Sequence, residues 1–550
     1  VALTLTPMLA SRMPPPKERA PDSLYQKLED WFKNLEGFYS RILDWTLSHR
    51  WITTLIAAAS IVLAVLAGSQ LKGEFMPKSD SGFMAIEFRT PPGTSLEGTI
   101  SILEQNEAWL MAQPETASVF AAIGPTSMDI GGPSDGFINV RLRDRENRTR
   151  SADELMIEAR KAFSAIPGQE FAIIDPMSSS DRDFEVELVG NASLAELDRY
   201  SDLMLSRLAA EGGMVDIEKS LRVGLPEALI VPDRDKAAAL GIDAATVAEI
   251  VHAMIGGLDV ATFREGEERH DVRIRMEEGT RGELDAIGSL WVRARNGELI
   301  DLRNVVSIEK GATASSITRT DRVRSVKLMA NLEGLPLSDA IERAFRIGAE
   351  VLPPTMSLRL TGNAEDMADA GQQFIMMVGL AILVIYMVLA AQFESFLQPL
   401  IVMAALPFSM VGALGGLYLF DMSLNLFSMI GIVLLIGLVT KNSILLVDYA
   451  NQLRDEGLEA EAAMRQAAPV RMRPVLMTAL SMIFGVLPTA LGLGAGSETR
   501  APMAVATAAG MFTSMMLTLL IVPVFYLALE RVRSFFSRKG SSAAATEQPA

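Results

Sequence analysis

The run FSMIGIVLLIGLVTKNSILLVDY at residues 427–449 is long enough to cross a bilayer and carries Lys441 in its interior. Lys441 is the only charge deep inside any spanning run of the sequence. A lysine at the centre of a span costs about 2.5–3.5 kcal/mol on insertion scales, so it is expected to face a polar interior and to pair with an acid. No spanning run here supplies that acid. The partner is expected from another region or chain, which points to a proton- or ion-driven membrane machine.

Outward from this run the sequence divides between two solvents. Its 550 residues are 49% hydrophobic, more than one soluble core needs, yet the net charge is −17. The acids concentrate between residues 73 and 370, and the apolar runs lie outside that window. Spans are expected at 51–69, 372–391, 398–420, 424–449 and 473–530. The last is too long for one helix, and Pro488 with the glycine-rich LGLGAGSETR at 491–500 is expected to divide it, giving six spans. VALTLTPMLAS at the start reads as the last turns of a further spanning helix broken by Pro7, so the chain is expected to be a C-terminal fragment. Arg12, Lys17, Arg19, Arg50, Arg454, Arg465, Arg471, Arg473, Arg531, Arg533, Arg538 and Lys539 fall on one side of these spans, which marks it as cytoplasmic. The loop at 73–370 is then on the outer side, the periplasm of a double-membrane bacterium.

Segment 21–47, opening PDSLYQKLEDWFKNLEGFYSRILDW, spaces Leu24, Leu28, Trp31, Phe32, Leu35, Phe38 and Ile42 at helical intervals. It is expected to lie along the inner membrane face, with a soluble linker helix as the alternative. The tail from Gly540 has no apolar period and is expected to be disordered.

Within the outer loop, alternation and helical periods give strand 82–89, helix 94–112, strands 118–124 and 137–143, helix 152–164 and strand 170–175. That β-α-β-β-α-β order is the ferredoxin-like split motif. It recurs as strand 183–190, helix 193–211, a strand near 215–221, and then strand 324–332, helix 336–350 and strand 357–362. The gap at 226–312 is an insertion, containing the hairpin WVRARNGELIDL with Asn296-Gly297 suited to a type I′ turn. The fold expected is an α+β membrane protein, a transmembrane helical bundle with a large periplasmic domain of two ferredoxin-like units and an inserted subdomain.

Three further stretches carry a family resemblance. GIVLLIGLVTKNSILLVDYANQLRDEG (431–457), RMRPVLMTALSMIFGVLPTALGLGAGSE (471–498) and the opening LTLTP resemble the C-terminal half of resistance-nodulation-division efflux pumps of the hydrophobe/amphiphile branch. The resemblance covers nearly the whole chain. It implies a proton antiporter of the bacterial inner membrane, not an enzyme, with no cofactor beyond the proton-motive force. It further implies a homotrimer working with a periplasmic adaptor and an outer-membrane channel, and an N-terminal half that brings an intramembrane aspartate pair to Lys441. Boundaries follow: 1–10 end of a span; 11–50 cytoplasmic linker; 51–70 span; 73–178 first porter subdomain; 179–225 and 313–365 second porter subdomain; 226–312 docking subdomain; 371–530 five spans; 531–550 disordered cytoplasmic tail.

Residue by residue, the resemblance makes Lys441 the relay lysine, with Asn442 beside it, Thr478 a relay hydroxyl and Arg471 a basic residue at the cytoplasmic end of the path. For Thr478 the plainer alternative is a hydroxyl bonded to its own helix. Phe120 corresponds to a pocket aromatic, its alternative being an ordinary inward-facing strand residue, and Phe137 lies near it. Asn139 stands where drug pumps of the branch carry a second pocket phenylalanine. GPTSMDIGGPSDG at 124–136 corresponds to the switch loop, with Gly124, Gly131, Gly132 and Gly136 permitting backbone swings, although a plain hairpin loop would use the same residues.

The 30 methionines raise soft-metal export as a rival, but most lie in spans, where they pack, and KNSILLVDY differs from the metal branch. No metal site is expected. A non-transporting scaffold or inactive half is the other rival, and Lys441 argues against it, because an expensive charge needs a reason. With three histidines, no cysteine, no nucleophile motif and no phosphate loop, neither catalysis nor nucleic-acid binding finds support.

Overall fold

The computed structural model describes residues 4–12, 24–91, 93–124, 132–174, 180–281, 284–314, 316–493 and 496–544. They divide into two compact units, one of residues 1–81, 334–343 and 361–550, the other of residues 82–333 and 344–360.

In the first unit, six helices among the described residues are long and apolar enough to cross a membrane: Arg50–Ser69, Asn363–Phe393, Gln398–Leu419, Leu426–Asp455, Ala460–Ala490 and Ser497–Arg531. Only helices and closed barrels satisfy every backbone polar group inside lipid, so apolar runs of this length take helical form. Small residues bring the helices together. A Cβ on Gly412 would lie 2.3 Å from the Ala509 carbonyl oxygen, and one on Gly416 2.5 Å from Ala509 Cβ. This Gly-x-x-x-Gly pair lets helix Leu406–Leu419 approach the Ser497–Ala544 helix backbone to backbone, which is how helices associate where lipid removes any hydrophobic drive. Around that contact Leu435, Val439, Leu446, Val447, Met511, Met515 and Val522 form a buried core.

Two expectations for this unit are corrected. The expected division of 473–530 is present, since helix Ala460–Ala490 ends at the glycine-rich stretch and the next begins at Ser497, but Pro488 is not the stop: Leu491 N–H still reaches the Leu487 carbonyl at 2.9 Å. A proline in the last turn forfeits only its own bond; the stop comes at Gly492, whose φ of +71° leaves the helix. Residues 531–544 are not a disordered tail but continue the last helix to Ala544. A helix already nucleated by its span extends at one bond per residue.

In the second unit, a four-stranded antiparallel sheet has the spatial order Thr116–Ile123, Asp135–Leu142, Phe83–Arg89, Glu170–Ile174. Helices Leu96–Met111 and Ala152–Phe163 cover one face, burying Met84, Ile86, Phe88, Ile138, Val140 and Leu142. A second sheet repeats the order with Met214–Lys219, Val323–Leu332, Phe184–Gly190 and Met356–Leu360. Helix starts are written locally: Ser151 with Glu154, and Ser193 with Glu196, close reciprocal capping boxes. The insertion enters and leaves through the antiparallel pair Val223–Pro232 and Val306–Ala314 and has its own core of Ala237, Ile242, Val247, Ile287, Val292, Leu302 and Val305.

The hairpin at 291–302 forms, but its turn is not type I′. Gly297 N–H bonds the Ala294 carbonyl at 2.9 Å and only Gly297, not Asn296, has positive φ, so a three-residue loop with a glycine bulge closes it. Positive φ at both central residues occurs instead in the hairpin turn Asp321-Arg322, at +52° and +68°, joining Thr320 to Val323.

Gly136 is also corrected. It lies inside strand Asp135–Leu142, paired with Phe88, and an added Cβ would sit 2.3 Å from Phe88 Cζ. Its missing side chain makes room for the Phe88 ring and is not a hinge.

Glu115, 2% exposed, closes the first sheet's edge by accepting from Thr149 Oγ1 at 2.8 Å and Arg150 Nε at 3.0 Å. The Arg150 hydrogen bonds outweigh the upward push of burial and hold its carboxyl at about 2, against an ordinary 4.5. Its ionised form is thus favoured by folding, so the stabilisation is complete above the ordinary value and is lost as pH falls through about 2. Glu115→Gln is expected to destabilise the chain by about 2 kcal/mol at neutral pH. Thermal unfolding of detergent-purified chain should show this gap closing as pH falls from 4.5 towards 2; a gap independent of pH would contradict the assignment.

Candidate functional site

Helix Leu426–Asp455 starts in a buried capping box, in which Asn425 Oδ1 accepts Ser428 N–H at 3.0 Å and Asn425 N–H bonds Ser428 Oγ at 2.8 Å. From this fixed start its faces are set. Ser428, Gly431, Leu435, Val439, Asn442, Ser443 and Leu446 turn into the core, whereas Ile430, Leu434, Gly437, Lys441 and Asp448 form one exposed stripe. Lys441 is therefore on a face that the rest of this unit leaves uncovered. Among the described residues it makes no ion pair.

Beside it the helix carries polar groups short of partners. Asn442 and Ser443 are 3% and 0% exposed, and among the described residues Asn442 Nδ2 and Ser443 Oγ have no hydrogen-bond partner. Each such group costs about 1–3 kcal/mol unless something satisfies it. Thr478, on helix Ala460–Ala490, places Oγ1 at 3.4 Å from Asn442 Oδ1 but at 3.0 Å from the Pro474 carbonyl of its own helix. The shorter bond is the local one, so the hydroxyl rests on its own backbone within reach of the amide. Arg471 lies with its guanidinium 4.4 Å from the centroid of the Tyr449 ring, and its Nε has no partner among the described residues. The fold thus brings Thr478 to Asn442 and Arg471 to Tyr449, and none of Asn442, Thr478 and Arg471 hydrogen-bonds Lys441. Ser443 and Tyr449 escaped the sequence reading; Tyr449, eight residues beyond Lys441, could have been found from helical spacing.

In the second unit, register decides the other group. Phe120 stands opposite Asn139, and Ala122 opposite Phe137, on neighbouring strands. Period-two alternation then puts Phe120, Phe137, Asn139 and Glu87 on the sheet face away from the core. The Phe120 and Phe137 rings meet edge to face with centroids 5.8 Å apart. All three expected pocket residues share this face.

That face is bordered by an ion-pair chain the sequence did not reveal. Arg182, 2% exposed, bonds Glu87 at 2.9 Å and also Glu218. Glu218 accepts from Arg89 at 2.6 Å, and Arg89 and Arg222 reach Asp135 at 3.5 and 2.8 Å. Asp135 also accepts Gly132 N–H at 2.8 Å. Burial pushes the Asp135 carboxyl up, but Arg222, this N–H and Arg89 hold it below its ordinary value. Of the loop glycines, Gly124 has φ +113° with open space around it, Gly132 is held by Asp135, and Gly131 lies outside the described residues. Among the described residues no three of His, Cys, Asp and Glu gather as a metal-holding group.

Comparison with known proteins gives this geometry a family. The model of the AcrB/AcrD/AcrF family matches residues 1–530. The cobalt-zinc-cadmium resistance protein CzcA of Cupriavidus metallidurans is 28% identical over 516 residues, covering 90% of this chain and 48% of that protein. The multidrug resistance protein MdtC of Photorhabdus laumondii is 27% identical over 552 residues, covering 98% and 52%. A crystal structure of a heavy metal efflux pump superposes with TM-score 0.80 at 26% identity, covering 90% of this chain and 52% of that one. The chain spans about half the length of the curated relatives it matches. It belongs to the AcrB/AcrD/AcrF family, within the resistance-nodulation-division efflux pumps.

Proposed function

We propose that this chain is the C-terminal half of a proton-driven efflux transporter of the bacterial inner membrane, exporting drugs or other amphiphilic compounds through a tripartite complex. The observation that carries the reading is the Lys441 stripe: an ammonium on an uncovered apolar face, flanked by Asn442 and Ser443 groups that lack partners. An N-terminal half bearing an intramembrane aspartate pair would cover that face. Ionised aspartates would hold the ammonium; protonation would remove their charge and release it, so that proton arrival becomes side-chain and helix movement. Asn442 offers an amide to the moving group. Thr478 exchanges its backbone bond for one in the relay, and Arg471, stacked on Tyr449, sets the positive potential at the cytoplasmic end.

The second unit is then periplasmic, with two ferredoxin-like porter subdomains at 73–178 and at 179–225 with 313–365, and a docking subdomain at 226–312. The Phe120–Phe137 face serves as the amphiphile surface, since aromatic contact holds varied ligands without fixed hydrogen bonds. Gly124, Gly131 and Gly132 belong to the switch loop, and Asp135 holds its end. The working assembly is a homotrimer with a periplasmic adaptor and an outer-membrane channel.

A second reading, export of metal cations, is favoured by the likeness to the cobalt-zinc-cadmium resistance protein. One set of strains separates the two. With the complete pump present, tolerance to amphiphilic drugs is expected to rise and tolerance to cobalt, zinc and cadmium to stay level; the opposite pattern selects the metal reading. In the same strains Lys441→Ala is expected to reduce export to background while the assembly purifies at its normal size, and normal export would remove Lys441 from the relay. Asn139→Phe is expected to favour larger aromatic substrates by about fivefold, since an added aromatic pair is worth about 1 kcal/mol. Unchanged susceptibility across a compound panel would take Asn139 out of the pocket.

A further inference from the structure

The sheet face that carries Phe120 and Phe137 has a basic end that the transport reading leaves unused. Period-two alternation continues from Phe137 and Asn139 to Arg141, and to Arg143 one residue past the end of strand Asp135–Leu142. Opposite Arg141 stand Phe83 on one neighbouring strand and Ser118 on the other. The edge strand is irregular there: Thr116 pairs with Leu142 and Ser118 with Arg141, so Ala117 is an extra residue, a β-bulge. A bulge bends its strand and re-aims nearby side chains. Beside it lies a cavity of about 460 Å³ lined by Ala117, Arg141, Leu142, Arg143, Asp144 and Asn147.

Charge decides what this cavity suits. Arg141 and Arg143 are exposed, and among the described residues neither guanidinium makes an ion pair or a hydrogen bond. By contrast, Arg182, Arg89 and Arg222, which border the same face, are taken up by Glu87, Glu218 and Asp135. Asp144 is the one acid of the cavity lining, so two cations stand against one anion. An unpaired guanidinium presents a planar fork of donors that matches the oxygens of an anionic head group. Along the strand Arg141 is about 7 Å from Asn139 and about 13 Å from Phe137. A small amphiphile can therefore rest its apolar body on the Phe120–Phe137 pair while its head reaches the cavity. We infer that Arg141 and Arg143 form a head-group site, which gives this surface a preference for anionic amphiphiles with one carboxylate or sulfonate. The inference rests on the reading of the Phe120–Phe137 face as an amphiphile surface. It adds a charge selection opposite to that of bare rings, whose faces attract cations.

Titration calorimetry on the full chain in phosphatidylcholine nanodiscs, with empty discs subtracted, reads this preference without transport. Octanesulfonate is expected to bind about tenfold tighter than octyltrimethylammonium, the worth of one charge-assisted bond. Arg141→Gln combined with Arg143→Gln is expected to abolish the preference, whereas Arg141→Lys with Arg143→Lys, which keeps both charges, retains it. Asp144→Asn removes the opposing charge and is expected to tighten octanesulfonate and weaken octyltrimethylammonium, an independent reading should the glutamine variant not fold. Equal binding of the two probes, a preference for the cation, or a preference that survives the glutamine substitutions would overturn the inference. Loss of the preference in the lysine variant, or none of the expected shift in Asp144→Asn, would do the same. Drug tolerance from the complete pump with no charge preference here ends this inference alone. Octanesulfonate binding without such tolerance ends the drug-export reading and leaves the site standing.

Discussion

An ammonium inside an apolar helix cannot be left alone, and much of the first unit is arranged around that constraint. The capped start at Asn425 fixes which face of helix Leu426–Asp455 turns inward, and Lys441 is on the face that does not. The part of the stripe from Ile430 to Gly437 is apolar and Asp448 lies two turns beyond the ammonium, so lipid would suit the former but not the charges. An arriving polar surface suits it, and such a surface could also satisfy Asn442 Nδ2 and Ser443 Oγ. Within this unit, three of the four buried side-chain atoms without a hydrogen-bond partner among the described residues, on Asn442, Ser443 and Arg471, lie where the proposed chemistry is placed.

What holds that helix in position is close packing through absent side chains. Gly412 and Gly416 admit the Ala509 backbone and methyl, and Gly510 admits Leu435, so the three helices meet with almost nothing between them. The second unit uses the opposite means. Its open sheet face is bordered by an alternating run of acids and arginines from Glu87 to Arg222, which includes an Arg182 almost fully removed from water. Removing one member of such a chain leaves a buried charge without its partner, which makes the network a firm support for the neighbouring aromatic pair.

The sequence was most informative where one short-range period carries the signal. Apolar runs located the six helices that, among the described residues, are long and apolar enough to cross a membrane, and alternation in strands such as 82–89 separated the core face from the Glu87 face. It misled where a residue type has two uses. Gly136 reads as a hinge beside other glycines, and only the Phe88 ring over it reveals a packing role. Asn296-Gly297 is a strong type I′ signal, yet it is Asp321-Arg322, with no glycine, that has positive φ at both residues, next to a strand, Val323–Leu332, held in register by the larger sheet. Pro488 and the residues after 531 show the same limit, local preference giving way to a helix already formed. In the candidate site, Lys441 was legible from its depth in the run. The approach of Thr478 to Asn442, 36 residues apart and on different helices, depends on packing that no spacing encodes.

On the proposed function, the Lys441 stripe lines a hydrated polar path and not a lipid-facing surface. Because the sequence has no cysteine, Lys441→Cys in the assembled membrane protein provides a single thiol for testing it. Reaction with a small water-soluble thiosulfonate and protection from a lipid-dissolved maleimide are expected. Reaction with the maleimide alone would put position 441 in the acyl chains and contradict it.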